Sequence, residues 1–187
     1  MRELLFIADW VFAFVVGIFL LRLLFQLVRS DFRNPFVQAL MRLTNPVILP
    51  LRRVLPPIGR VDTASVVAVL LIQLLATVVL TALMGLGLPS APGLLARAVL
   101  ALADTTLSLY VIALIGYVLL SWVAPDGYNP VARVVSDLVA PVLRPLRRSL
   151  PTLGGLDLSP AVALLLLAVL RMVLNDRLAP QLLTWLR

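Results

Sequence analysis

The sequence predicts an all-α membrane protein: four transmembrane helices built as two parallel two-helix repeats, each with a cytoplasmic amphipathic interfacial helix. Three observations predict it. First, the chain is 61% hydrophobic and 13% charged, whereas a soluble domain is about 45–50% apolar and about 25% charged. No soluble core of 187 residues hides that surplus. Second, four stretches approach the length that crosses a hydrocarbon layer of about 30 Å, which takes about 20 residues of helix. Third, one segment occurs twice without a gap. Asn34–Asp62 reads NPFVQALMRLTNPVILPLRRVLPPIGRVD, and Asn129–Asp157 reads NPVARVVSDLVAPVLRPLRRSLPTLGGLD, at a constant offset of 95.

The offset reaches outward. Arg2 falls on Arg97, Ala8 on Ala103, Asp9 on Asp104 and Asp31 on Asp126. The unit is therefore half the chain, 1–92 and 93–187. The first span covers about 4–28. Its length, the Asp9 inside it and the lack of a small-residue cleavage site make it a retained span rather than a signal peptide. A basic loop, 29–62, leads to the second span, about 65–86, closed by Gly85, Gly87 and Pro89. The third span covers about 98–123, the second loop 124–157, and the fourth span about 158–178.

Each loop opens on Asn-Pro, a side-chain cap followed by a good first-turn residue. In the second copy Val131, Val134, Val135, Leu138, Val139 and Val142 form one apolar stripe at helical spacing. Such a helix is expected to lie in the interface plane with its apolar side toward the bilayer. Pro46/Pro141 and Pro50/Pro145 are expected to break or kink it, since proline lacks an N–H and clashes with the preceding turn. The chain is expected to turn at Pro56/Pro151 and Gly59/Gly154. Asp62 and Asp157 suit the positive ends of the spans that follow.

The net charge is +7 and all 16 basic residues are arginine. Six of them, Arg29 to Arg60, lie in the first loop and four, Arg133 to Arg148, in the second. The positive-inside rule places both loops in the cytoplasm, and four spans then put both termini and the middle connection outside. This accounts for the charge without nucleic acid as a partner. Two spans per unit leave the second unit parallel to the first, related by a pseudo-twofold along the membrane normal. Inverted repeats, common in alternating-access transporters, are not expected.

The repeated residues Asn34, Pro35, Pro46, Pro50, Arg52, Arg53, Pro56, Gly59 and Asp62, preceded by Leu20–Arg22 and Asp31–Phe32, resemble the mark of the YggT family, also called YlmG-like, of bacterial inner-membrane and chloroplast proteins. The second copy keeps the skeleton from Asn129 to Asp157 but has Tyr117 where the first has Arg22. The two-copy form resembles that of Gram-negative bacteria. The resemblance implies no enzyme. It implies roles in osmotic and ion homeostasis, in cell division or nucleoid placement, and in plastids in haem attachment and nucleoid distribution.

With no histidine and no cysteine, the chain offers no imidazole base, no thiol, and no Cys/His metal or haem site. Nucleotide-binding and hydrolase motifs are missing too. No catalysis and no cofactor are expected. Charged groups inside spans are costly and face partners or cavities. Asp9, Asp104 and Arg171 fall at similar depth, either as a packing ion pair or carboxylates exposed at the outer surface, the preferred reading, or as part of an ion or proton path. Gln73 sits mid-membrane, as polar glue or as a pore-lining group. Arg22, near the inner end of its span, either snorkels to lipid phosphate, as preferred, or docks on its own loop. Arg52–Arg53 and Arg147–Arg148 either bind anionic headgroups of the bilayer or present a fixed basic knob to a membrane, division or assembly protein. The leading expectation is a non-enzymatic structural or assembly factor, tied to osmotic stress and acting through its basic loops. The alternative is a small ion-transport or ion-homeostasis protein for potassium and osmotic balance, with a homo-oligomer enclosing the path.

Overall fold

A computed structural model describes residues 2–59, 61–85, 87–123, 129–150 and 157–181. Six α-helices follow in order: α1 Arg2–Val28, α2 Pro35–Val54, α3 Thr63–Leu83, α4 Ala91–Val123, α5 Pro130–Ser149 and α6 Ser159–Val173. A π-helical turn, Leu174–Leu178, continues α6.

Helices α1, α3 and α4 are long and apolar enough to cross a membrane. The third expected span begins earlier than its apolar run, at Ala91, because Ala91-Pro92 is a good helix start and the helix carries Arg97 inward with it. The fourth expected span is a 15-residue α-helix before its π turn, shorter than the other three.

Each half builds the same unit. In the first, α1 packs on α3 and both hold α2; in the second, α4 packs on α6 and both hold α5. Small residues allow the close approach: Ala64 and Ala68 of α3 are 0% and 1% exposed. The core gathers Phe19, Leu20, Leu24 and Phe25 of α1 with Leu114 of α4 and Val134, Leu138 and Leu143 of α5.

Both short helices open as their sequence predicts. The Asn34 Oδ1 accepts the Phe36 N–H at 2.9 Å, and the Asn129 Oδ1 accepts the Val131 N–H at 2.9 Å. The prolines do not break them: α2 runs through Pro46 and Pro50, and α5 through Pro141 and Pro145. Each pair is four residues apart and exposed, so both lost bonds fall on the face turned away from the core, where a bend is tolerated. The apolar stripe is also placed differently from the expectation. Val37, Leu40 and Ile48, like Val134, Leu138, Val139 and Leu143, are buried against the protein. A second set on α2, Phe36, Leu43, Val47 and Val54, is the exposed one. After α2 the chain turns at Gly59, whose φ of 61° suits a residue without a Cβ, and Ile58 and Val61 pair across the turn. The matching turn at Pro151 and Gly154, and Asp126, lie outside the described residues.

The halves do not meet symmetrically. Helix α3 packs on α4 and α1 packs on α5, but among the described residues α6 does not pack on α1, nor α2 on α4. A twofold would require both. The short α3–α4 joint forces one of these contacts and leaves its counterpart free.

Candidate functional site

The repeated arginines meet the repeated aspartates. In the first half Arg52, in the last turn of α2, donates from Nη2 to Asp62 Oδ2 at 2.6 Å and from Nε to both carboxylate oxygens at 3.2 Å. Asp62 also accepts from the Ser65 hydroxyl at 2.6 Å and from Gln26 Nε2 at 3.3 Å. Burial pushes its pKa up, but the bonds from Arg52 and Ser65 outweigh that and hold it below the ordinary carboxylate value. In the second half Arg147 Nε donates to Asp157 Oδ2 at 2.8 Å, and Asp157 Oδ1 accepts the Ser159 N–H at 2.9 Å. Burial again raises and the Ser159 and Arg147 bonds lower; the net pKa is depressed. The pairs differ in exposure: Asp62 is 8% exposed and Asp157 37%.

These pairs tie the end of each short helix to the start of the helix that follows. Arg52 and Arg147 are thus engaged inside the chain. Their neighbours Arg53 and Arg148 are exposed and make no ion pair or hydrogen bond among the described residues.

Arg22 is 1% exposed and does not snorkel. Its Nη1 donates to the Thr44 hydroxyl, to Asn45 Oδ1 at 2.9 Å and to the Met41 carbonyl at 3.2 Å, so α1 grips the middle of α2. Buried acceptors on α2 take the place of lipid phosphate. At the matching position Tyr117 accepts from Arg147 Nη2 at 2.8 Å, and the Arg147 guanidinium carbon lies 5.8 Å from the ring centroid. The Arg22-for-Tyr117 difference thus exchanges one anchor for another.

A second polar site lies at the opposite end of the bundle. A cleft of about 370 Å³ between the halves is lined by Asp9 of α1, by Gln73, Thr77 and Thr81 of α3, and by Arg97, Asp104 and Thr105 of α4. Asp104 is held by Arg171 of α6 through a two-pronged pair, Nε to Oδ1 at 2.9 Å and Nη2 to Oδ2 at 3.1 Å. Asn175, in the π turn, adds a bond to Oδ1 at 2.9 Å. Asp9 shares the cleft but not this network. The residue matching Arg171 in the first half is Ala76, 2% exposed, and Asp9 makes no ion pair among the described residues. Gln73 is 8% exposed and turns its amide toward Thr77 at 3.5 Å. The buried Arg97 Nε has no partner among the described residues.

The sequence sets Asp9, Asp104 and Arg171 at similar depth, and of these Asp104 and Arg171 pair; it treats Gln73 separately and misses four participants. The span expected from the sequence begins at about 98 and leaves Arg97 just outside it; the earlier start of α4 puts Arg97 on the helix. Asn175 sits one turn after Arg171, which signals a shared face. Thr44 and Tyr117 carry no sequence signal, because their roles depend on a neighbouring helix. No group of metal-binding side chains occurs among the described residues.

The CCB3/YggT family model matches residues 1–83 and 96–178, one match per half. An uncharacterised protein of Pseudomonas aeruginosa is 44% identical over 163 residues, 87% of this chain and 83% of its own length. Escherichia coli K12 YggT, also uncharacterised, is 35% identical over 172 residues, covering 92% and 89%. A Vibrio alginolyticus protein is 33% identical over 181 residues, covering 96% and 97%. No solved structure matches. Two family matches over the two halves, joined by relatives that share nearly their whole length, make this chain a member of the CCB3/YggT family.

Proposed function

We propose that the chain is a non-enzymatic, four-span protein of the bacterial inner membrane that serves as a scaffold, with α2 and α5 as a rigid basic platform on the cytoplasmic side. One observation carries the reading: each short helix is pinned by an internal arginine–aspartate pair, and the next arginine, Arg53 or Arg148, is left outward and unpaired among the described residues. A linker that only set topology would need no such clip. The arginine-rich loops orient the platform toward the cytoplasm. The fourth span is α6 continued through its π turn, and the partner is a membrane or assembly protein with an acidic face. The decisive experiment replaces Arg53 and Arg148 by Glu and compares in-cell crosslinks with those of the unaltered protein. Loss of a specific crosslinked species, with membrane insertion intact, supports the platform. An unchanged pattern sinks it.

The cleft favours a second reading, ion handling for osmotic balance. The Asp9 carboxylate, unpaired among the described residues, a buried amide and threonine hydroxyls line one opening. Potassium or sodium flux in proteoliposomes, abolished by Asp9→Asn, would establish it. Absence of flux in folded, oriented protein would remove it.

A further inference from the structure

Two cavities abut at the seam between the halves, at the end of the bundle that carries the first turns of α2 and α5. One, of about 310 Å³, is charged: Arg33 and Arg133 line it, with Asp31 as the one carboxylate among the described residues. Asp31 Oδ1 takes the Arg33 backbone N–H at 2.9 Å. Neither guanidinium has an ion-pair or hydrogen-bond partner among the described residues, and among those residues two cations face one acid. The other cavity, also about 310 Å³, is lined by apolar residues alone, among them Leu21 and Phe25 of α1, Leu109 and Gly116 of α4, and Val134 of α5. Pro35 and Pro130 line the charged cavity, and the next residues, Phe36 and Val131, line the apolar one. The two therefore share a wall.

The dimensions select the occupant. From Leu109 to Leu120 the apolar slot follows α4 for about 16 Å at 1.5 Å per residue. A hydrocarbon core of about 30 Å gives each leaflet about 15 Å. A slot of one leaflet's length, lined by apolar side chains alone, suits one extended hydrocarbon chain. A free anion would use the charged mouth and leave the slot without a role. A neutral lipid would use the slot and leave two arginines unanswered.

We propose that an anionic phospholipid occupies this seam, its phosphate between Arg33 and Arg133 and one acyl chain in the slot between α1, α4 and α5. It is bound by both halves at once and comes from the leaflet on the α2/α5 side. The proposal rests on α1 and α4 crossing the membrane, and on neither the scaffold nor the transport reading.

The test uses the full chain reconstituted in vesicles of equal phosphatidylglycerol and phosphatidylcholine, re-extracted in mild detergent, with retained lipid counted by native mass spectrometry. The unaltered protein is expected to keep about one phosphatidylglycerol per chain, preferred at least about tenfold over phosphatidylcholine, and to lose that preference as salt is raised. Arg33→Gln with Arg133→Gln is expected to abolish the preference. Gly116→Phe is expected to lower retention of either lipid, since a Cβ at Gly116 meets no atom within 4 Å and the ring enters the open slot. Equal retention of both lipids by the unaltered protein overturns the proposal whatever the variants do. So does a preference that survives both sets of substitutions. Phosphate alone, added at millimolar concentration, is expected not to displace the lipid; displacement would identify a free-anion site instead.

Discussion

At the scale of single residues, the arginines divide by what they touch. Arg22, buried with three acceptors on α2, is structural. Replacing it by Met is expected to cost about 1.5–3 kcal/mol, the range for hydrogen bonds to charged groups, read as a lower melting temperature in detergent. The two clips are expected to differ. Double-mutant cycles should give about 1–3 kcal/mol for Arg52 with Asp62, where the carboxylate is buried. They should give about 0.2–1 kcal/mol for Arg147 with Asp157, exposed on both sides. Asp62 also sets a pH dependence. Its pKa is lowered by folding, so its contribution is fully present above the unfolded value of about 3.9 and is lost as pH falls through the folded value. The stability gap between the unaltered protein and Asp62→Asn should hold constant above about pH 5 and shrink below about pH 4. A gap that widened on acidification would refute the assignment. These pairings were only half visible in the sequence. The spacing of the arginines and aspartates repeats, which marks them as coupled to geometry. The partner of an arginine, however, is chosen by how far a helix runs, and α2 runs one turn further than its prolines suggest.

At the scale of elements, the starts of the two short helices were the most legible feature and their passage through the prolines the least. Asn34 and Asn129 both cap, but Asn34 also donates from Nδ2 to the Pro130 carbonyl of the other half at 2.7 Å. Asn34→Ala should therefore cost about 1 kcal/mol for the cap plus about 1 kcal/mol for the bridge, and Asn129→Ala the cap alone. Equal losses in chemical denaturation would remove the bridge. The prolines misled because their usual penalty is written for a helix interior in isolation. In α2 and α5 the packed face supplies most of the stability, and both rings sit on the other face. Phe36, Leu43 and Val47 of the exposed stripe on α2 match Val131, Leu138 and Val142 of the stripe legible in the second copy; what the sequence does not show is the different covering of Leu43 and Leu138. They occupy matching positions, yet the first is 63% exposed and the second 3%.

At the scale of the whole molecule, the sequence carried the plan of each half but not their joining. The constant offset fixes that both halves fold alike; it is silent on how alike halves touch. If the loops face the cytoplasm, single cysteines placed in this cysteine-free chain should report it. Arg53→Cys and Arg148→Cys should react with a membrane-impermeant maleimide only after the cells are opened, and Leu88→Cys in intact spheroplasts. The reverse pattern would invert the proposed orientation.

The unlike contacts of the two halves also give the gene a direction. The native joint between Leu83 and Ala91 links two helices that pack on each other. A permuted gene, encoding 93–187 ahead of 1–92, would have to join α6 to α1, which do not pack among the described residues. Although duplication wrote the same paragraph twice, the order of the copies has become part of the message.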